Sequence, residues 1–173
     1  MHFNEFEFTT LYGDNRTVEE LENHFKDEIK KSNWDLISNS TILNDSFIEK
    51  YKDRLKWINL CINHKITEEF IEKFYEEIHW NIISAEQKLS ESIINRYSNE
   101  LDWNYLSTFQ NMSESFIEKN ADKVNWSEIS LFQKLSEAFI EKHQDKIDWN
   151  EIADNENIIL TDKIKTLINL HKV

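Results

Sequence analysis

The sequence predicts an all-α fold, a compact α-solenoid of tandem 23-residue helix-turn-helix repeats closed by divergent capping helices. Three observations carry this prediction. The six tryptophans, Trp34, Trp57, Trp80, Trp103, Trp126 and Trp149, are spaced by 23 residues throughout, which is the signature of a repeat architecture. Apolar residues recur at fixed offsets from each Trp, and helix-capping residues recur between them. Neither Gly nor Pro occurs within the repeats, so their turns are expected to be made with ordinary backbone angles.

Taking each Trp as position zero, position +3 reads Ile37, Leu60, Ile83, Leu106, Ile129 and Ile152, and position +9 reads Leu43, Ile66, Leu89, Met112, Leu135 and Ile158. The first helix of a repeat is expected to open near the Trp, because Asn33, Asp102, Asn125 and Asp148 precede it as N-caps. Asn125 with Glu128, and Asp148 with Glu151, also have capping-box spacing. Trp and +3 face one side, together with the small +4 residues Ser38, Cys61, Ser84, Ser107, Ser130 and Ala153, which let neighbouring backbones approach.

The second helix is the longer of the two on this reading, about eleven residues. It is capped at +10 by Asn44, Thr67, Ser90, Ser113 or Ser136, and positions +13, +14, +17 and +21 share one stripe. The intervening turns fall near +7 to +9, where Gln87, Gln110 and Gln133 occupy +7. One such pair cannot bury its own stripe, so repeats must stack on their neighbours.

Residues 1–33 are expected to form an arm and a capping helix, 34–148 five repeats, and 149–173 a divergent sixth repeat with a C-terminal capping helix. In the first part, Thr17-Val-Glu-Glu20 is a capping box and Leu21, Phe25 and Ile29 continue a stripe, giving a helix over about 17–31. Phe3, Phe6 and Phe8, followed by a turn at Gly13-Asp14-Asn15, read as a short strand or a packed arm. Thr161 caps a closing helix of roughly ten residues, with Ile164, Leu167 and Ile168 on one face.

With 20 Lys+Arg against 33 Asp+Glu the formal charge is −13, which argues against direct grip on a nucleic-acid backbone. No apolar run approaches 18 residues and the N-terminus lacks a basic and apolar leader, so neither a membrane span nor a targeting segment is expected. The single cysteine, Cys61, fits a reducing, cytoplasmic setting.

The sequence carries no recognisable enzymatic constellation. The lone Gly13 rules out a phosphate-cradling glycine loop, and the six histidines show no zinc-ligand spacing, so neither cofactor nor metal is expected. Cys61 and His64 lie one turn apart; the plainer reading is a core thiol and a partly exposed histidine rather than two metal ligands or a nucleophile pair.

Two surface features stand out. Positions +11, +15 and +19 hold Glu68-Glu72-Glu76, Glu114-Glu118-Asp122 and Glu137-Glu141-Asp145, rows expected to face water away from the apolar stripe. Stacked, they would form a lattice of negative charge that imitates phosphates, or simply a solubilising face diluted by Lys73, Lys119, Lys142 and their neighbours. The exposed positions of the first helix carry Tyr105, Phe109 and Phe132 on adjacent repeats, an aromatic cluster of the kind a protein partner covers. Here the two phenylalanines are expected to pack between helices and Tyr105 to be exposed.

Leu89-Ser-Glu91, Asp102-Trp-Asn, Ser113-Glu-Ser-Phe-Ile-Glu-Lys119 and Gln133-Lys-Leu-Ser-Glu-Ala-Phe-Ile-Glu-Lys142 resemble the tandem 23-residue Trp-containing repeats of large DNA viruses, some phages and bacteria. The likeness covers about residues 34–152 and is closest from Trp80 onward; the first two repeats depart from it at +7 (Thr41, His64) and +10 (Asn44, Thr67). It implies an all-helical repeat fold and a viral or phage origin, and carries no assigned chemistry or catalytic residue. The expected function is a non-catalytic protein-binding module, a viral or phage factor that inhibits a host defence protein. The alternatives are an acidic mimic occupying a DNA- or RNA-binding channel, and a small enzyme using Cys61.

Overall fold

The computed structural model describes residues 16–171. The arm containing Phe3, Phe6, Phe8 and the Gly13 turn lies outside the described residues. Among those described, the chain forms fourteen α-helices and one 3-10 turn, with no strand, in a tandem-repeat arrangement of the α-solenoid class. It divides into two compact halves, one ending at Ile82 and the other beginning at Ile83.

Every repeat opens at its Trp. The helices Trp57–Asn63, Trp103–Phe109 and Trp126–Phe132 begin on the tryptophan itself. Asp102, Asn125 and Asp148 each accept from backbone amides of the first turn, as their side-chain chemistry predicts. Asn33 does not cap; its side chain makes no such bond. The +10 caps all form, with Asn44, Thr67, Ser90, Ser113 and Ser136 accepting from the amide three residues on.

The expected columns are the core. Ile37, Leu60, Ile83, Leu106, Ile129 and Ile152 at +3 are fully buried, as are the inward +13 and +14 residues of most repeats. Each such side chain contributes about 1.5–3 kcal/mol on burial, and stacking supplies the neighbour that makes burial possible. In the second half, the helix Trp126–Phe132 packs between Trp103–Phe109 and Trp149–Asp154; in the first, Trp34–Ser38 packs on Trp57–Asn63.

The second helices are shorter than expected. They span six or seven residues, as in Asp45–Tyr51, Glu68–Lys73 and Glu114–Lys119, and so match the first helices in length. In repeats 2 to 5 the backbone leaves helical angles at +17, with φ −109 and ψ 30 at Tyr97 and φ −113 and ψ 31 at His143, whereas in repeat 1 Tyr51 remains helical. Two bonds explain why the chain can leave there. The +21 amide still reaches the +17 carbonyl, as in Leu101 to Tyr97 and Ile147 to His143, so the +21 residue stays in the core without helix. The carbonyl freed at +18 is taken by the next tryptophan: the indole N–H of Trp57, Trp103, Trp126 and Trp149 donates to Lys52, Ser98, Ala121 and Gln144 at 2.9–3.2 Å. The repeated Trp therefore opens one helix and caps the end of the one before it.

The leading helix also differs from expectation. The Thr17–Glu20 capping box forms in both directions. The helix then breaks at Phe25 into Val18–His24 and Lys26–Lys30, because the Phe25 backbone sits at φ −95 and ψ 18 while its ring is buried. The closing helix, Asp162–His171, is capped by Thr161 and buries Ile164 and Ile168.

Candidate functional site

The seams between repeats account for most of the polar residues that the sequence singled out. The +4 serine hydroxyl donates back to its own Trp carbonyl and accepts the backbone amide that opens the next repeat. Ser107 donates to Trp103 at 2.7 Å and accepts from Asn125 at 3.0 Å, and Ser130 repeats this with Trp126 and Asp148. That amide is the one a capping-box glutamate would otherwise take, so Glu128 turns away and accepts from Thr108 Oγ1 at 3.0 Å. A residue expected only to be small is thus a polar link as well.

Position +7 holds a second link. Gln110 donates to the carbonyls of Ser84 and Gln87 at 3.0 and 2.6 Å, and accepts from the Leu89 amide at 3.0 Å. Gln133 does the same with Ser107, Gln110 and Met112. Each buried amide closes the turn of the repeat before it rather than its own. Repeat 6 substitutes Asn155, which reaches Ser130 and Gln133 at 2.6 and 2.9 Å.

The carboxylate rows are not uniformly open to water. At +11, Glu91 accepts from the Ser113 amide at 2.8 Å, Glu114 from both the amide and the hydroxyl of Ser136, and Glu137 from the Thr161 hydroxyl at 2.5 Å. At +15, Glu118 meets Lys142 at 2.8 Å and His143 at 3.2 Å, and Glu141 meets Lys163. Lys142, followed by His143, holds the Glu118 carboxyl below the usual carboxylate range. The expectation that these rows face water therefore holds for their outer members, Glu72, Glu76, Asp122 and Asp145, which are exposed. Glu68 is half-buried, and so are Glu114, Glu118, Glu137 and Glu141, which are drawn against the neighbouring repeat by bonds that span 22 to 25 residues of sequence.

Cys61 and His64 separate in role. Cys61 occupies the +4 seam, where its sulfur accepts from the His79 amide at 3.4 Å, and burial pushes its thiol up from the usual range. A raised thiol in a closed seam is a poor nucleophile. His64, expected to be partly exposed, is buried: it stands in the +7 column, 4.9 Å from the Phe70 ring, with Nε2 3.4 Å from Asp45. Among the described residues no group of three or more His, Cys, Asp or Glu side chains could hold a metal ion, and no helix is long and apolar enough to cross a membrane.

The aromatic cluster stays on the surface. Tyr105 and Phe109 lie one turn apart on Trp103–Phe109, with ring centroids 6.3 Å apart and planes inclined by 29°. Phe132 holds the position equivalent to Phe109 on the adjoining helix Trp126–Phe132. Their exposures are 41%, 61% and 42%, so the two phenylalanines are not packed between helices as expected. The reason is the wheel: Leu106 and Ser107 face the core, and +2 and +6, only about 40° apart, point the other way. Sequence reading missed Ile159, which is 85% exposed beside a groove of about 510 Å³ lined by Met112, Leu135 and Ile158. Its signal was an isoleucine at +10, where the other repeats carry a cap.

Compared with known protein families, with curated proteins and with solved structures, the chain matches none.

Proposed function

We propose that this chain is a non-catalytic helical-repeat module that binds a protein partner through the solvent face of its Trp helices. The observation that carries the reading is the exposure of Tyr105, Phe109 and Phe132 together on adjoining helices of one compact half. Aromatic residues clustered on a surface that the core does not need are the usual anchors of protein interfaces. The rigid seams beneath them support the same reading, because an interface built on helices locked by buried amides keeps its shape. On the resemblance of its repeats to those of large DNA viruses and phages, the chain acts as a viral or phage factor that binds and inhibits a host defence protein. Its setting on this reading is the host cell cytoplasm.

The test is affinity capture with the full chain, comparing the parent with Tyr105→Ala/Phe132→Ala at low and high salt. A partner recovered by the parent in both salts and lost with the variant supports the reading. Recovery of the same proteins by both forms removes this face as the binding surface.

The second reading, an acidic mimic of nucleic acid, draws on the exposed outer carboxylates Glu76, Asp122 and Asp145. It is the weaker of the two because the inner members of the same rows already accept bonds from the next repeat. Capture that is lost as salt rises and displaced by added DNA would favour it.

A further inference from the structure

The aromatic face has a charge as well as a shape. In repeats 3 to 6 positions +1, +2, +5 and +6 of the Trp helices, which turn away from the core except at the buried Asn155, carry Glu86, Glu128, Glu151 and Asp154, and not one Lys or Arg. Glu86 and Asp154 are exposed, while Glu128 is half-buried and fixed by Thr108, the residue between Tyr105 and Phe109 on the helix. Most described cations of this half are engaged elsewhere: Lys142 and Lys163 are held by Glu118 and Glu141, Lys123, Lys146 and Arg96 lie over the rings of Trp103, Trp126 and Tyr97, Lys119 reaches Asn95, and Lys165 meets Asp162. The face is therefore a set of exposed rings bordered by carboxylates that no lysine or arginine pairs with among the described residues.

We infer that the occupant of this face is an arginine-bearing segment of a protein partner, its guanidinium groups laid on Phe109, Phe132 and Tyr105 and paired with Glu128, Glu151 and Asp154. The inference rests on the protein-binding reading above and adds the chemistry of the partner. A guanidinium satisfies both features at once, since its plane stacks on an aromatic face while its edge forks onto a carboxylate. Lysine, a compact and strongly hydrated charge, would use the carboxylates but gain less from the rings. A second copy of this chain is disfavoured as occupant, because matching the face against itself opposes carboxylate to carboxylate.

The experiment is selection of a displayed library of random 15-residue peptides on the full chain, with counter-selection on the full chain carrying Phe109→Ala and Phe132→Ala. Both changes are at exposed positions, and far-UV circular dichroism checks that the helices persist. The expected survivors are enriched in arginine together with apolar residues. A representative survivor should bind Glu128→Gln/Glu151→Gln/Asp154→Asn about tenfold more weakly, and Asp122→Asn/Asp145→Asn as tightly as the parent. Survivors without arginine enrichment, or equal losses in the two carboxylate variants, would overturn the cationic assignment while leaving the face as a binding surface. A library in which no peptide distinguishes parent from the phenylalanine variant would remove the face itself.

Discussion

The two halves of the chain solve the same stacking problem with different chemistry. From Ile83 onward the seams are regular: a serine hydroxyl at +4 and a buried amide at +7 or its neighbour recur at Ser84, Ser107 and Ser130 and at Gln110, Gln133 and Asn155. Up to Ile82 the pattern is broken. Cys61 replaces one serine, His64 replaces a glutamine, and Thr41 at +7 is exposed. Packed rings and ionic links stand in their place, with Phe25, Phe47 and Tyr51 in series and Lys50 on Glu22, Lys52 on Glu77 and Lys73 on Glu49. The difference teaches that the 23-residue period is enforced by the apolar columns, while the polar seam is one way of fixing register. A buried amide with three partners fixes the separation of two turns; exposed ion pairs are screened by water and fix much less.

The comparison breaks most easily at Gln133. Gln133→Leu should destabilise the protein by about 3 kcal/mol, because it strands the carbonyls of Ser107 and Gln110 and the amide of Met112 in a buried seam. The counterpart His64→Leu should cost about 1–2 kcal/mol, since Asp45 is half exposed and water can replace the histidine there. Urea denaturation measures both, and equal losses would mean that the amide tether is no stronger than its substitute.

The +4 seam gives the next largest contrast. Ser107→Ala leaves the Asn125 amide without its acceptor and should cost about 1–2 kcal/mol. Cys61→Ser, by contrast, should change stability by less than about 1 kcal/mol, because it restores the hydroxyl that the other repeats use in place of a weak sulfur acceptor. A destabilisation as large as that of Ser107→Ala would show that the first half has repacked around sulfur. In the parent, the Cys61 thiol should resist disulfide reagents until the protein unfolds, a property read directly by thiol titration with and without urea.

The smallest effect is that of pH. Thr17 holds Glu20, Lys50 and Tyr51 hold Glu22, and Lys142 and His143 hold Glu118 below the ordinary carboxylate range. Groups depressed in the folded state contribute stability that is complete above their unfolded value of about 4.3 and is lost as pH falls through the folded value. Glutamine does not titrate. Two of these three carboxylates lie before Ile82 and one, Glu118, after it. Below about pH 4 the His79 amide should therefore lose hydrogen-exchange protection before those of Asn125 and Asp148, and simultaneous loss would show that the Glu118 link weighs as much as those of Glu20 and Glu22.

Much of the fold was legible because its signals are local. A capping side chain ahead of a first turn needs only that turn to act on, so the +10 caps and those at Asp102, Asn125 and Asp148 could be read directly, with Asn33 the exception. The +3 and +13/+14 columns were equally plain, since apolar residues at a fixed period have only a neighbouring repeat in which to be buried. The candidate face was half legible. Its residues could be named, but the exposure of Phe109 and Phe132 depended on which side of each helix the neighbouring repeats covered.

The sequence by itself determined the repeat, its register and its helix starts, because each rests on contacts within a few residues or on a period visible in one dimension. Tertiary structure alone decided where the second helices stop, since the carbonyls they release are taken by an indole five residues later in the next repeat. It also decided that Gln110, Gln133 and the inner carboxylates are links between repeats and not free surface. Those bonds join atoms 21 to 26 residues apart, and they exist only once the apolar columns have brought the repeats into contact.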